Sequence, residues 1–225
     1  MINLGTSKIG HINIGETAVK SVRSGDRIVF GYDAEIEYLQ SSGTQWIDLG
    51  RKLKSSIDII DIDFTLISQV SSTSGLFGAR TVADNKNFSV IVASNNNIVL
   101  DMNNGDLSRY RLNSGTTGYN KRCTVFMQNN LRTIYFNGIQ AAYTNISAQS
   151  FITDHNAELF RISDLQNNIP SIRLHSFKWR QFGTGWIYDM IPVRVGQKGY
   201  MYDKISGELF GNAGTGDFIL GPDVV

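Results

Sequence analysis

Hydrophobic and polar residues alternate with a period of two along most of this chain, which is the pattern of half-buried β-strands. The clearest run lies at 57–67, where apolar Ile60 and Ile62 alternate with polar side chains. Clusters of Asn, Ser and Gly, which are typical of turns, separate runs of the same kind. Many short strands at this spacing predict an all-β sandwich or barrel. The pattern predicts further strands at 88–93, 97–102, 107–112, 123–128, 131–136, 139–143, 172–181, 186–193 and 199–202.

Two local signals refine this prediction. The pair Asn137-Gly138 stands between two apolar runs, and an Asn-Gly pair favours the positive φ angles of a tight hairpin turn. We therefore expect a hairpin there. The segment 147–156 is the one stretch whose pattern allows a helical turn.

The first 32 residues contain a ten-residue repeat, aligned as INLGTSKIGH, INIGETAVKS and VRSGDRIVFG. Each copy has a glycine followed by a polar or small residue, which suits a two-residue turn. The repeat predicts a β-meander with turns near 5–6, 15–16 and 25–26. An unshifted pairing of its strands would place Val22 opposite Val29.

One face of this meander is the more apolar, and a sheet of about 30 residues is too small to bury such a face alone. We therefore expect 1–32 to be an assembly module that docks on another protein or on symmetry mates. The alternative is that the meander packs on the chain's own sandwich. The predicted assembly face consists of Ile12, Ile14, Val19, Ile28 and Phe30.

Composition narrows the classes of partner. The formal net charge is +1, so no long-range field recruits nucleic acid or an anionic membrane, and neither is expected as a partner. Cys123 is the single cysteine, which we expect to be a small buried hydrophobe in its strand. The N-terminus shows no basic region followed by an apolar run, so we expect synthesis in a cytoplasm without a secretory signal.

Clustered carboxylates are the one pattern that suggests catalysis. Some β-sandwich glucanases use an acid and a nucleophile that lie close together on one strand. Asp61 and Asp63 share a strand face here, but Asp58 falls on the other face, and Thr65 stands where a further carboxylate is needed. None of the three histidines has the spacing of a metal site or a catalytic pair. We therefore predict no enzyme, no catalytic residue and no cofactor.

Four segments resemble a known family. The stretches 34–50 (AEIEYLQSSGTQWIDLG), 74–80 (SGLFGAR) and 132–140 (RTIYFNGIQ) resemble concanavalin A-like, laminin G-like domains of phages and prophages of gut bacteria. The C-terminal run 187–222 resembles the closing strands of that family. The resemblance implies an antiparallel concanavalin A-like sandwich, a jelly roll, over 34–225. Together with the meander, it implies two parts in the chain.

The resemblance also implies a function. Such a protein would be a non-enzymatic component of a phage virion, namely a fibre, tail or capsid appendage. It would contact other virion proteins through 1–32, form a homo-oligomer, often a trimer, and present its sandwich outward for host attachment. Some laminin G-like domains hold calcium, and the candidate ligands for such an ion would be Asp101, Asn103 and Asp106.

The alternative is a stand-alone carbohydrate-binding lectin module. Binding a glycan requires an exposed aromatic ring beside hydrogen-bonding groups. Trp179 shares a strand face with Phe177, so we expect it in the core, whereas Trp186 follows a glycine-rich turn. Trp46 also follows a turn. The candidate glycan contacts are therefore Trp46 and Trp186, with a bacterial surface glycan as the ligand.

Overall fold

The computed structural model describes residues 13–14, 17–18, 21–24, 27–70, 72–81, 86–105, 111–115, 119–145, 150–163 and 169–224. Within these ranges the chain is almost entirely β. The N-terminal strands are β1 (Asn13–Ile14), β2 (Thr17–Ala18), β3 (Ser21–Ser24) and β4 (Arg27–Gly31). The following strands are β5 (Ala34–Glu35), β6 (Leu39–Gln40), β7 (Ile47–Lys54), β8 (Asp58–Leu66), β9 (Ser74–Thr81), β10 (Lys86–Ala93), β11 (Asn97–Asn104) and β12 (Arg111–Asn113).

The C-terminal half continues in the same way. A single 3₁₀ turn, Ser94–Asn96, joins β10 to β11. No helix within the described ranges has the length and apolar character needed to cross a membrane. The remaining strands are β13 (Arg122–Gln128), β14 (Leu131–Phe136), β15 (Ile139–Thr144), β16 (Ile152–Leu159), β17 (Ile172–Gln181), β18 (Gly185–Val195), β19 (Lys198–Asp203), β20 (Leu209–Phe210) and β21 (Ile219–Leu220).

Two antiparallel sheets pack face to face. The smaller has the strand order β12-β11-β10-β9-β16-β7, and the larger has the order β15-β14-β13-β8-β17-β18-β19-β20, with β5, β6 and β21 added beside it. Phe77 of the smaller sheet contacts Phe177 of the larger, with ring centroids 5.2 Å apart. The predicted fold class, an all-β antiparallel sandwich of the concanavalin A-like kind, is confirmed by this architecture.

The core lies between the two inner faces. Along β8, the side chains of Ile60, Ile62 and Phe64 are fully buried, as the period of two predicted. Trp179 and Cys123 are also buried, at 1% exposure each, so their predicted core positions are confirmed.

The predicted hairpin between β14 and β15 is confirmed. Phe136 pairs with Ile139, which leaves Asn137 and Gly138 as a two-residue turn. Their φ angles are 49° and 78°, both in the left-handed region that an Asn-Gly pair adopts readily.

The predicted helical turn at 147–156 is wrong over its described part, because β16 begins at Ile152 and runs through it. This strand lies inside the smaller sheet, between β9 and β7. Its pairing with β7 shifts register twice, before and after Asn156. Such irregularities disturb the alternation of apolar and polar residues, so the sequence pattern did not mark a strand.

The described residues of the N-terminal repeat form two strand pairs. Ile14 lies opposite Thr17 and Ser24 opposite Arg27, which fits the predicted turn positions 15–16 and 25–26. The pairing of β3 with β4 shifts by one residue, so Val22 lies opposite Phe30. The predicted pairing of Val22 with Val29 is therefore wrong, because a bulge adds one residue to one strand.

The assembly face stays a prediction. Ile12 and Val19 lie outside the described residues, and so do the side chains of Ile14, Ile28 and Phe30. The turn predicted at 5–6 also falls outside them.

Tyr32 joins the end of the repeat to the sandwich. Its ring lies 4.8 Å from that of Tyr202, centroid to centroid, in a small cluster that also contains Val193. Its hydroxyl donates a hydrogen bond of 2.7 Å to Glu35. Tyr32 is thus anchored on the sandwich, although the sequence placed it in the N-terminal module.

Candidate functional site

The outer face of the larger sheet carries a groove of about 360 Å³. It is formed by β8, β13, β17 and the first residues of β18. Because side chains alternate along a strand, the polar residues of these strands point away from the core and into the groove. We call it the Trp186 groove, and its lining side chains are Asp61, Asp63, Thr124, Ser176, Lys178, Arg180 and Trp186.

The strand register places these side chains in rows. Asp61 lies directly opposite Lys178 of β17, and Asp63 lies opposite both Thr124 and Ser176. Side chains that are directly paired across antiparallel strands have Cβ atoms about 4.5–5.5 Å apart. The groove floor therefore combines carboxylate, ammonium and hydroxyl groups within reach of one small ligand.

The two aspartates of the groove differ in their partners. Arg122 holds Asp63 in a two-pronged ion pair, with both N–O distances 2.8 Å. The carboxylate of Asp61 is attracted by the charges of Arg180 and Lys178, but no described residue donates a hydrogen bond to it. Asp61 therefore keeps its hydrogen-bonding capacity for a ligand.

Burial raises the pKa of Asp61 above its ordinary value, and the nearby charges of Arg180 and Lys178 only partly offset this. The folded protein thus holds a proton on Asp61 more tightly than the unfolded chain does. The stability associated with this group is present at low pH and is lost as pH rises through the folded pKa. At neutral pH the ionised carboxylate is a cost to the fold, which is common where function fixes a residue.

We expect Asp61→Asn to raise the melting temperature at neutral pH. Near pH 3 it should leave the melting temperature unchanged, because the protonated aspartate and the asparagine are both uncharged there. Thermal unfolding followed by circular dichroism at both pH values measures this. Asp63→Asn is the matched control, and it should lower the melting temperature at neutral pH because Arg122 loses its partner. A lower melting temperature for Asp61→Asn at neutral pH would contradict the prediction.

Trp186 forms one side of the groove. Its side chain is 47% exposed, and the guanidinium carbon of Arg180 lies 5.9 Å from its ring centroid. The pairing of β17 with β18 shifts by one residue here, so Trp186 lies opposite Arg180 while Tyr188 lies opposite Trp179. This bulge separates an outward indole from the buried Tyr188, whose hydroxyl donates a 2.7 Å hydrogen bond to the Leu49 carbonyl.

Trp46, the other predicted glycan contact, has a different setting. It is half-buried, and the guanidinium carbon of Arg161 lies 3.5 Å from its ring centroid. Glu158 holds Arg161 by two hydrogen bonds of 2.7 and 2.8 Å. One face of the Trp46 indole is therefore covered, and Trp46 does not line the Trp186 groove.

Asp58, the third aspartate of the carboxylate cluster, is buried. Asp58 faces the core, where the backbone N–H of Lys54 and the side-chain amide of Gln181 donate hydrogen bonds to it. As the strand period predicted, Asp58 and Asp61 lie on opposite faces of β8.

Two of the candidate calcium ligands, Asp101 and Asn103, lie on β11 of the smaller sheet. Asp101 accepts hydrogen bonds of 3.1 Å from Asn87 and 3.2 Å from Asn103. Asp106 lies outside the described residues. Within the described part of the chain, no group of three His, Cys, Asp or Glu side chains is arranged to hold a metal ion.

The sequence contained part of the signal for the groove. Because Phe177 and Trp179 share a strand face, the period of two places Lys178 and Arg180 on the opposite face, and it places Asp61 and Asp63 together on one face of their strand. It gave no indication that β8 and β17 are neighbours, so these two pairs were not joined into one site. Thr124 and Ser176 were missed because isolated hydroxyl residues in strands carry no pattern of their own.

No family model and no curated protein matches this chain. Among solved structures, the chain is similar to a Trypanosoma rangeli sialidase in complex with 2,3-difluorosialic acid, with 10% identity and a TM-score of 0.43. That match covers 66% of this chain and 27% of the sialidase. The Trypanosoma rangeli sialidase itself matches with 11% identity and a TM-score of 0.41, over 72% of this chain and 29% of that protein. A mutant of this sialidase displaying trans-sialidase activity matches with 10% identity and a TM-score of 0.40. That match covers 56% of this chain and 20% of the mutant.

From the sequence we predicted no enzyme. That exclusion is wrong, because the solved structures to which the chain is similar are sialidases. At this identity and TM-score they supply neither an activity nor a catalytic residue for this chain. The chain also spans less than a third of each sialidase.

Proposed function

We propose that this chain is an appendage component of a phage particle whose sandwich binds a glycan of the bacterial surface in the Trp186 groove. The glycan-binding part rests on one observation, the side-by-side placement of an exposed indole and an Asp61 carboxylate to which no described residue donates a hydrogen bond. The virion part is supported by the resemblance of 34–222 to phage laminin G-like domains and by the glycine repeat of 1–32.

The chemistry of the groove suits a sugar. A sugar ring has an apolar face of C–H groups, which packs on an aromatic ring, and a rim of hydroxyls, which donate and accept hydrogen bonds. Trp186 supplies the ring, Asp61 supplies an acceptor, and Lys178 supplies a donor. Such a shallow site binds weakly by itself, and a homo-oligomer on a particle would multiply its affinity through multivalency.

The test is binding of the purified full-length chain to an array of bacterial surface polysaccharides and defined oligosaccharides. We expect at least one polysaccharide to bind, and we expect Trp186→Ala to weaken that binding at least about tenfold, as loss of a central aromatic contact does. Isothermal titration calorimetry on the selected ligand gives the change in Kd.

Tyr143→Ala is the matched control, because Tyr143 is a 51% exposed aromatic residue on β15 that does not line the groove. Its affinity should equal that of the unchanged chain. Failure of the chain to bind any glycan, or equal affinity of Trp186→Ala, would refute the glycan-binding proposal. Electron microscopy of phage particles labelled with an antibody against the chain tests the virion part, and absence of label from intact particles would refute it.

A further inference from the structure

A second groove, of about 410 Å³, lies at the start of β8 next to the Trp186 groove. It is formed where β8 begins, where β13 ends and where the hairpin joining β17 to β18 turns. We call it the Phe182 groove, and its lining side chains include Ser56, Ile57, Ile59, Gln128, Asn130 and Phe182.

The two grooves adjoin. Ile59, which lines the Phe182 groove, lies directly opposite Arg180, and Arg180 lies opposite Trp186. This row of paired residues is the boundary between them. From Ile59, which lines the Phe182 groove, to Asp61, which lines the Trp186 groove, β8 advances two residues, or about 7 Å at the usual rise of a strand.

The Phe182 groove repeats the chemistry of its neighbour. Phe182 is 78% exposed at the hairpin tip. Gln128 donates a 3.0 Å hydrogen bond to Asn130, which uses one donor of the first amide and one acceptor of the second. Each amide retains further donor and acceptor capacity, and the exposed Ser56 adds a hydroxyl. The Phe182 groove, like the Trp186 groove, therefore combines an exposed aromatic ring with hydrogen-bonding groups.

We infer that the two grooves form one continuous site for an internal stretch of a linear polysaccharide, with one part of the chain on Trp186 and the next on Phe182. The inference rests on the proposed glycan binding and adds the class of ligand. A polymer of sugars presents the same kind of ring repeatedly, which matches two adjoining grooves of the same chemistry. A single terminal sugar fills one groove and leaves the exposed Phe182 without a role.

The test uses oligosaccharides of graded length, obtained by partial hydrolysis of the polysaccharide that the full-length chain binds on the array. Affinity should rise with length by roughly tenfold and then stay constant once both grooves are filled. Phe182→Ala should reduce the affinity for long oligosaccharides to that for short ones and leave the short ones unchanged. Trp186→Ala should weaken binding at every length.

Ile139→Ala is the matched control, since Ile139 is 75% exposed beside the tip of another hairpin, and it should bind every length as the unchanged chain does. If no polysaccharide binds the full-length chain, both the proposed function and this inference fail. If a polysaccharide binds but affinity does not depend on length, only the two-groove site is wrong. The two-groove site is also wrong if Phe182→Ala and the unchanged chain bind long oligosaccharides with equal affinity.

Discussion

Replacing Gly78 with alanine is expected to lower the free energy of unfolding by about 4 kcal/mol or more, combining backbone strain with steric overlap. Gly78 has a φ of 127°, and a Cβ atom there would lie 2.1 Å from the carbonyl oxygen of Phe88 and 2.6 Å from the Cα of Ser89. Both are backbone atoms of β10, and β16 pairs with Gly78 on its other side. The strand therefore has no room to move, and the melting temperature should fall by roughly 8 °C or more.

Gly43→Ala is the matched control for this substitution. Gly43 has a similar φ of 114°, but the nearest atom to a new Cβ, the carbonyl oxygen of Ile169, lies 3.8 Å away. This variant should show the backbone strain alone, about 1–3 kcal/mol. Thermal unfolding of both variants measures the difference. A fall for Gly78→Ala no larger than that for Gly43→Ala would show that β10 accommodates the methyl group.

Deleting residues 1–30 is expected to abolish assembly while leaving a folded sandwich. The sandwich has its own two sheets and its own core, and Tyr32 remains in place against Tyr202. We therefore expect a melting temperature within about 4 °C of the full chain, a change of about 1 kcal/mol. The mass in solution, measured by light scattering, should fall from an oligomer to a monomer.

Deleting residues 1–32 is the control that locates the boundary between the two parts. It also removes Tyr32, and loss of this buried ring should lower stability by roughly 3 kcal/mol further. Unfolding of the 31–225 chain would mean that the repeat belongs to the core of the sandwich. An oligomer that survives the deletion would remove the assembly role from 1–32, and a full-length monomer that binds glycan would favour the stand-alone lectin.

Strands with regular alternation could be predicted from the sequence almost residue by residue. Along β8, buried and partly exposed residues alternate without a break from Ile60 to Leu66, and the strand lies within one residue of the predicted run 57–67 at each end. This strand keeps one face in the core over that stretch, so the polarity of each residue shows which face it lies on. In β16, two register shifts interrupt the pairing with β7. The alternation of apolar and polar residues is lost there, and the strand was not predicted.

The candidate site could be predicted only in pieces. Asp61 and Lys178 are far apart in the chain, and their neighbourhood depends on the pairing of β8 with β17. Pairing between distant strands leaves no local signal, since it is determined by how whole sheets pack. Trp186 was found because a glycine-rich turn precedes it. Trp46 had the same signal, and its covered face follows from Arg161, which no local pattern connects to it.

The three tryptophans occupy three distinct environments, and this gives the molecule an internal optical probe. Trp179 is sealed in the core, and Trp46 is covered by a guanidinium group, whereas the Trp186 indole is 47% exposed to solvent. Emission from Trp186 is therefore the most open of the three to quenching by a dissolved molecule. Lys178 and Arg180 stand beside it, but Asp61 and Asp63 line the same groove, so a neutral quencher such as acrylamide reports the exposure of the indole without a bias from charge. A ligand in the groove would shield the Trp186 indole, so binding is visible in unlabelled protein as a loss of acrylamide quenching.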